Sequence, residues 1–97
     1  MSQSYSVLMS VYHKEKPEYL RESMESIYNQ TVPTDNFVLV CDGPLNPSLD
    51  DVIAEMQKKF GSRLYVHRLA KNGGLGNALN EGMKYCRHEL IARMDSD

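Results

Sequence analysis

The sequence predicts an α/β fold: an open, mainly parallel sheet in βαβαβαβ order. Three observations predict it. Short apolar runs recur at residues 5–12, 37–41, 63–69 and 89–94. The stretches between them carry apolar residues at helical spacing and are long enough for crossover helices. Pro, Gly, Asn and Asp punctuate the junctions. Crossovers of this kind are right-handed. The expected strand order is 3-2-1-4, reversing between the first and fourth strands.

Residues 5–12, YSVLMSVY, are apolar and β-branched without a breaker, which suits a strand buried on both faces. Pro17 then opens a helix, with Glu15 and Glu18 where acids suit a helix N-terminus. Leu20, Met24, Ile27 and Tyr28 make one stripe that runs to about Asn29, and Pro33 closes the segment. Residues 37–41, FVLVC, form the second strand, ended by Asp42-Gly43-Pro44. Asn46 or Ser48 caps the next helix, with Pro47 near its first position. Its stripe is Leu49, Val52, Ile53, Met56 and Phe60, and Gly61 is its stop. Residues 63–69, RLYVHRL, form the third strand, with Leu64, Val66 and Leu69 inward. Asn72-Gly73-Gly74-Leu75-Gly76 is the most glycine-dense loop. The helix after it puts Leu75, Leu79, Met83 and Cys86 on one face, with Ala78 and Gly82 beside them. Residues 89–94, ELIARM, form the fourth strand, and Asp95-Ser96-Asp97 follow it.

Composition excludes several classes of function. A chain of 97 residues is one domain or less. A formal net charge of -2 leaves no basic excess, so nucleic acid is not an expected partner. No apolar run approaches the roughly 18 residues of a membrane helix. The polar residues 1–6 lack the layout of a signal peptide. Cys41 and Cys86 lie far apart in sequence and are expected to be reduced thiols in a cytoplasmic protein.

Ligands of open α/β sheets bind outside the carboxyl ends of the strands, where the strand order reverses. Each predicted strand delivers polar groups to that edge. The first brings Ser10, Val11, Tyr12 and His13, followed by Glu15; the second brings Asp42 and Gly43. The third runs into Lys71, Asn72, Gly73 and Gly74, and the fourth ends at Asp95, Ser96 and Asp97. Carboxylates, an aromatic ring, a lysine and a glycine loop suit a ligand with a flat base, hydroxyls and phosphates. A divalent metal would hold such a ligand, because carboxylates bind Mg²⁺ or Mn²⁺ as hard oxygen donors. Each piece has a plainer reading. Asp42 before Gly43-Pro44 serves equally as a turn residue. Tyr12 reads as packing, and His13 as a surface histidine with no partner at metal spacing. The glycine loop reads as a tight strand-to-helix turn. It is a poor dinucleotide fingerprint, since Leu79 stands where a third glycine is wanted and the loop follows the third strand. The combination is more restrictive: an Asp-x-Asp closes the fourth strand and another Asp closes the second.

These residues resemble the N-terminal half of a family-2 glycosyltransferase domain of the GT-A type. Residues 6–12, SVLMSVY, are similar to that family's first strand. Residues 20–31, LRESMESIYNQT, resemble its first helix, which closes on Gln-Thr. Val40-Cys41-Asp42-Gly43-Pro44 resembles its Val-Asp-Asp-Gly-Ser. Asn72-x-Gly74-Leu75 through Asn80-x-Gly82 resembles its Asn-x-Gly…Asn-x-Gly helix start. Residues 91–97, IARMDSD, resemble the strand that carries Asp-x-Asp.

The resemblance implies an inverting transferase that uses a nucleotide-activated sugar, commonly a UDP-sugar, and a glycan or lipid-linked acceptor. The implied nucleotide-sugar-binding residues are Ser10, Val11, Tyr12, Glu15, Asp42, Asn72, Gly74, Asn77, Asp95 and Ser96. Ser10 and Tyr12 would border the nucleobase, and Asp42 would hydrogen-bond the base or ribose. Asp95 would face the ribose or the metal's water. Asp97, with Asp95, would ligate Mn²⁺ or Mg²⁺ against the diphosphate.

The chain departs from the pattern at four positions. Cys41 replaces the first Asp of the Asp-Asp pair, Pro44 the serine, Leu79 an arginine before the helix's second Asn, and His13 an Asn. The family's catalytic base lies beyond the Asp-x-Asp, so no catalytic base is expected in residues 1–97. The chain therefore reads as a single N-terminal nucleotide-sugar-binding part, a fragment cut after its fourth strand. Its uncovered sheet edge is expected to self-associate. The full-length protein is expected in the cytoplasm, at the inner face of the membrane, in bacterial polysaccharide synthesis. The alternative is a non-catalytic α/β regulatory or protein-binding module.

Overall fold

The computed structural model describes residues 4–95, with Asp95 described in its backbone alone. Four strands form one parallel sheet in the order β3-β2-β1-β4. They are β1 (Ser6–Val11), β2 (Asn36–Cys41), β3 (Leu64–Arg68) and β4 (Ile91–Asp95). Between them run α1 (Pro17–Tyr28), α2 (Pro47–Phe60) and α3 (Leu75–Met83). The expected element and strand orders both hold. Among the described residues no helix is long and apolar enough to cross a membrane.

Strand alternation divides the core into two layers. Val7, Met9 and Val11 of β1 and Phe37, Leu39 and Cys41 of β2 face α1 and α2. There they meet Leu20, Met24 and Ile27 together with Leu49, Val52, Ile53, Met56 and Phe60. Phe60 stands edge-on to both Phe37 and Tyr28, with centroids 5.2 and 5.3 Å away. Leu8, Val38 and Val40 face the other way and pack on Ala78 of α3. β1 and β2 are thus covered on both faces, as their unbroken apolar runs require.

Helix starts follow their capping chemistry. Asn46, not Ser48, caps α2: its side-chain oxygen accepts the Leu49 amide at 2.9 Å, with Pro47 at the first helical position. Gly61, at φ +64, ends α2 and leads into a 3₁₀ turn, Gly61–Arg63.

Two expectations about packing are corrected. Leu75 and Met83 do not face the core; they are 57% and 50% exposed. Ala78 and Gly82 face inward instead, because a Cβ at Gly82 would collide with the Leu8 and Val40 side chains. Close helix–sheet approach puts the small residues inside and turns Leu75 and Met83 out, while Leu79 and Cys86 pack partly buried against that layer as expected. Leu69 packs in the α3-side cluster, whereas Leu64 and Val66 belong to the opposite layer.

The amino edge of the sheet is clasped by polar groups. The Ser6 hydroxyl donates to Asn36 Oδ1 at 2.6 Å, and both residues are buried. The Arg87 amide donates to the same Asn36 oxygen, and the His88 amide donates to Ser6 Oγ. His88 Nε2 lies 2.7 Å from Asp35 Oδ1. These bonds pin the segment leading into β4 against β1 and β2.

Candidate functional site

The carboxyl ends of β1, β2 and β3 are stitched together through Asp42. Its amide donates to the Val11 carbonyl at 2.8 Å, which ties β2 to β1. Its two carboxylate oxygens accept the amides of Gly73 and Gly74 at 2.9 and 3.1 Å. Those amides belong to the loop after β3, and Asp42 is 5% exposed. A buried carboxylate is costly unless bonded, and here two backbone donors satisfy it. Gly43 makes the approach sterically feasible. It has φ +94, and a Cβ there would come 2.6 Å from the Asn72 nitrogen.

The glycine loop has its own internal order. Asn72 Oδ1 also accepts the Gly74 amide, at 3.2 Å. A Cβ on Gly73 would lie 2.7 Å from Asn77 Nδ2, so that amide sits directly over the Gly73 backbone. Gly74, at φ +93, is the residue before α3, and its carbonyl accepts the Ala78 amide at 3.0 Å. Asn72, Gly74 and Asn77 are all exposed.

Beyond β1 the chain turns sharply. The Glu15 amide donates to the Tyr12 carbonyl at 3.1 Å, and Glu15 Oε1 accepts the Lys16 amide at 3.0 Å. Glu15 is buried at the start of α1, while Tyr12 is 44% exposed and meets His13 edge-on. Asn46 Nδ2 donates to the His13 carbonyl at 3.3 Å, fastening this turn to α2. Val11, by contrast, lies with its side chain in the core and its carbonyl bonded to Asp42. It supports the edge from below.

Parallel pairing of β1 with β4 brings Asp95 opposite Ser10. An open cleft of ≈ 390 Å³ lies at this reversal of strand order, lined by Ser10, Leu75, Leu79, Arg93 and Met94. The structure thus brings Ser10 and the Asp95 backbone to one cleft and groups Asp42, Asn72, Gly74 and Asn77 around the neighbouring loop. The Asp95 side chain, Ser96 and Asp97 lie outside the described residues. Among those described, no group of three His, Cys, Asp or Glu side chains is arranged for a metal.

At Cys41 only the backbone serves this edge, its carbonyl accepting the Gly43 and Leu69 amides. Its side chain is buried in the α1/α2 layer, and burial pushes its thiol up to about 11. Cys86 belongs to the opposite layer, and both thiols are free. Sequence reasoning passed over Arg93, which lines the cleft. The available signal was a charged residue inside an otherwise apolar run. It also passed over the pairing of Asp42 with Gly73 and Gly74, since those residues lie far apart in the chain.

Residues 6–97 match Glycosyl transferase family 2. The chain belongs to that family. The amylovoran biosynthesis glycosyltransferase AmsE of Erwinia amylovora is 46% identical over 93 residues, which are 96% of this chain and 34% of that protein. The UDP-Gal:alpha-D-GlcNAc-diphosphoundecaprenol beta-1,3-galactosyltransferase of Escherichia coli is 40% identical over 96% of this chain and 33% of its own length. A mannosyltransferase from Pyrobaculum calidifontis, in complex with GDP-Man and Mn²⁺, superposes with a TM-score of 0.83 at 19% identity. That match covers 96% of this chain and 27% of the mannosyltransferase. The chain spans about a third of the length of the curated relatives it matches. Its sheet is the Rossmann-like N-terminal half of a GT-A fold.

Proposed function

We propose that the protein is a glycosyltransferase that binds a nucleoside-diphosphate sugar in the cleft between β1, β4 and α3. It transfers the sugar, with inversion, to a glycan or lipid-linked acceptor. Residues 1–97 supply the donor-binding part. The observation that carries this reading is the position of that cleft: it opens where the strand order reverses, beside Ser10, in a chain of family 2. A UDP-sugar is the favoured donor, supported by the UDP-Gal named for the E. coli relative. Lipid-linked or polysaccharide acceptors are supported by the names of the same relative and of AmsE. This chemistry puts the full-length protein in the bacterial cytoplasm, at the inner face of the membrane.

In this reading Tyr12 and Ser10 border the nucleobase. Asp42 holds the glycine loop through one lone pair on each oxygen and offers the other to base or ribose. Glu15 and Val11 shape the turn and floor beneath Tyr12. Asn72, Gly74 and Asn77 form the wall at the start of α3, and Ser96 lies between the two carboxylates. Asp97 and Asp95 would hold Mn²⁺ or Mg²⁺. Their oxygen donors suit a hard cation, and β4 delivers Asp95 beside Ser10. When bound, the metal stabilises negative charge on the departing diphosphate. The base that takes the acceptor proton is expected beyond Asp97.

Self-association through β4 belongs to the same proposal. β4 pairs only with β1 among the described strands, and Ala92 and Arg93 are exposed. Sedimentation of these 97 residues should give species larger than a monomer at tens of micromolar. The enzymatic test is sugar transfer by the full-length protein from labelled UDP-sugars to a lipid-linked acceptor. Transfer that Asp97→Ala abolishes supports the reading; no transfer from any nucleoside-diphosphate sugar contradicts it.

A further inference from the structure

The cleft at the β1/β4 junction holds one charged side chain among its described lining residues, Arg93. Its position is unusual for a cation. β1 residue Leu8, its partner across the ladder, is fully buried, and Ile91, two residues earlier on the same strand face, packs into the apolar α3-side cluster. An apolar residue would continue that surface. Arginine can lay its aliphatic stem along such a surface and carry its guanidinium into the open space beyond.

The other arginines are engaged with protein groups. Arg21 pairs with Glu55 and Arg68 with Asp50; Arg87 donates to the Asp35 carbonyl. Arg63 donates to the Phe60 carbonyl and lies over the Tyr28 and Phe60 rings. Arg93 makes no hydrogen bond or ion pair with another described residue, and it is exposed to the cleft.

We infer that Arg93 is a donor-binding residue, whose guanidinium faces the diphosphate of a nucleoside-diphosphate ligand in this cleft. This rests on the reading of the cleft as the donor site. The planar fork of an arginine matches two phosphate oxygens, and its charge persists at every working pH. Arg93 enters the cleft from β4, and the α3 residues that line it, Leu75 and Leu79, carry no charge.

The test is calorimetric titration of the full-length protein with UDP, and GDP in parallel, in the presence of Mn²⁺. Three proteins are compared: unaltered, Arg93→Gln and Arg93→Lys, each with its melting temperature recorded. The expected result for Arg93→Gln is a loss of about tenfold or more in nucleoside-diphosphate affinity with an unchanged melting temperature, and for Arg93→Lys a smaller loss of about threefold to tenfold, because the ammonium keeps the charge and lacks the fork. If Arg93→Gln does not fold, Arg93→Lys carries the test: a loss of at least about threefold supports the inference, and an affinity within about twofold of the unaltered protein overturns it. An Arg93→Gln affinity within about twofold of the unaltered protein overturns the inference, as does a lysine variant weakened more than the glutamine variant. Those results leave the donor-site reading standing. Failure of the unaltered protein to bind either nucleotide overturns both.

Discussion

The Asp42 carboxylate accepts the Gly73 amide at 2.9 Å and so joins the end of β2 to the loop that opens α3. Its other oxygen holds Gly74. Asp42→Ala would take this charged acceptor from the Gly73 and Gly74 amides and leave only Asn72 Oδ1 on Gly74. The expected loss is roughly 1–3 kcal/mol of stability, with nucleotide affinity falling alongside it as the loop loosens. Asp42→Asn keeps one acceptor oxygen and should fall between. Chemical denaturation and nucleotide titration of the same proteins check both parts.

Gly43 and Gly61 both have positive φ, but only Gly43 sits against backbone. Gly61→Ala should therefore cost about 1–3 kcal/mol, the conformational penalty alone. Gly43→Ala adds a collision with the Asn72 nitrogen and should cost well over that, with disturbed amide resonances for Asn72 to Gly74. Equal destabilisation of the two variants in urea unfolding would contradict this account of the loop.

The strand order was legible because β1 and β2 are uninterrupted apolar runs, and such runs need cover on both faces. The face of α3 was legible only in part: Leu79 and Cys86 pack on the sheet, but Leu75 and Met83 turn out. Helical spacing grouped Leu75, Leu79, Met83 and Cys86, but the side that meets the sheet is chosen by closeness of approach, and Gly82 permits it. Asp42 was visible as a ligand candidate or a turn residue. Its actual partners lie beyond β3 and no local pattern announces them. Arg93 carried a signal, a charge within an apolar strand, that only the position of the cleft makes meaningful.

Thiol chemistry should separate the two cysteines. Cys41 and Cys86 sit in opposite core layers, with the sheet between them. Burial holds Cys41 protonated at pH 8, with its thiol at about 11, and keeps reagents out. A disulfide-exchange reagent should label Cys86 first and Cys41 only once the protein unfolds. Rapid labelling of both in the native state would contradict the layering.

The Asp35–His88 pair predicts a small acid sensitivity. Its hydrogen bond to His88 holds the Asp35 carboxyl below the usual carboxylate range. A depressed carboxyl stabilises the fold above its unfolded pKa, and that contribution disappears as the pH falls through the folded value. Melting temperatures from pH 6 to pH 3 should fall more steeply for the unaltered protein than for Asp35→Asn. Salt should shrink the difference, because the carboxylate is exposed. Nucleotide affinity at neutral pH should be the same in both, since the pair lies at the amino edge of the sheet.

The central claim is that the β1/β4 cleft binds a nucleoside diphosphate with a metal held by the carboxylates after β4. Calorimetric titration of UDP into the full-length protein, with Mn²⁺ and then with EDTA, tests it most directly, with Asp97→Ala alongside. The account predicts saturable one-site binding that weakens at least tenfold in EDTA and equally in Asp97→Ala. Binding indifferent both to the metal and to Asp97, or none at all with UDP or GDP, would contradict it.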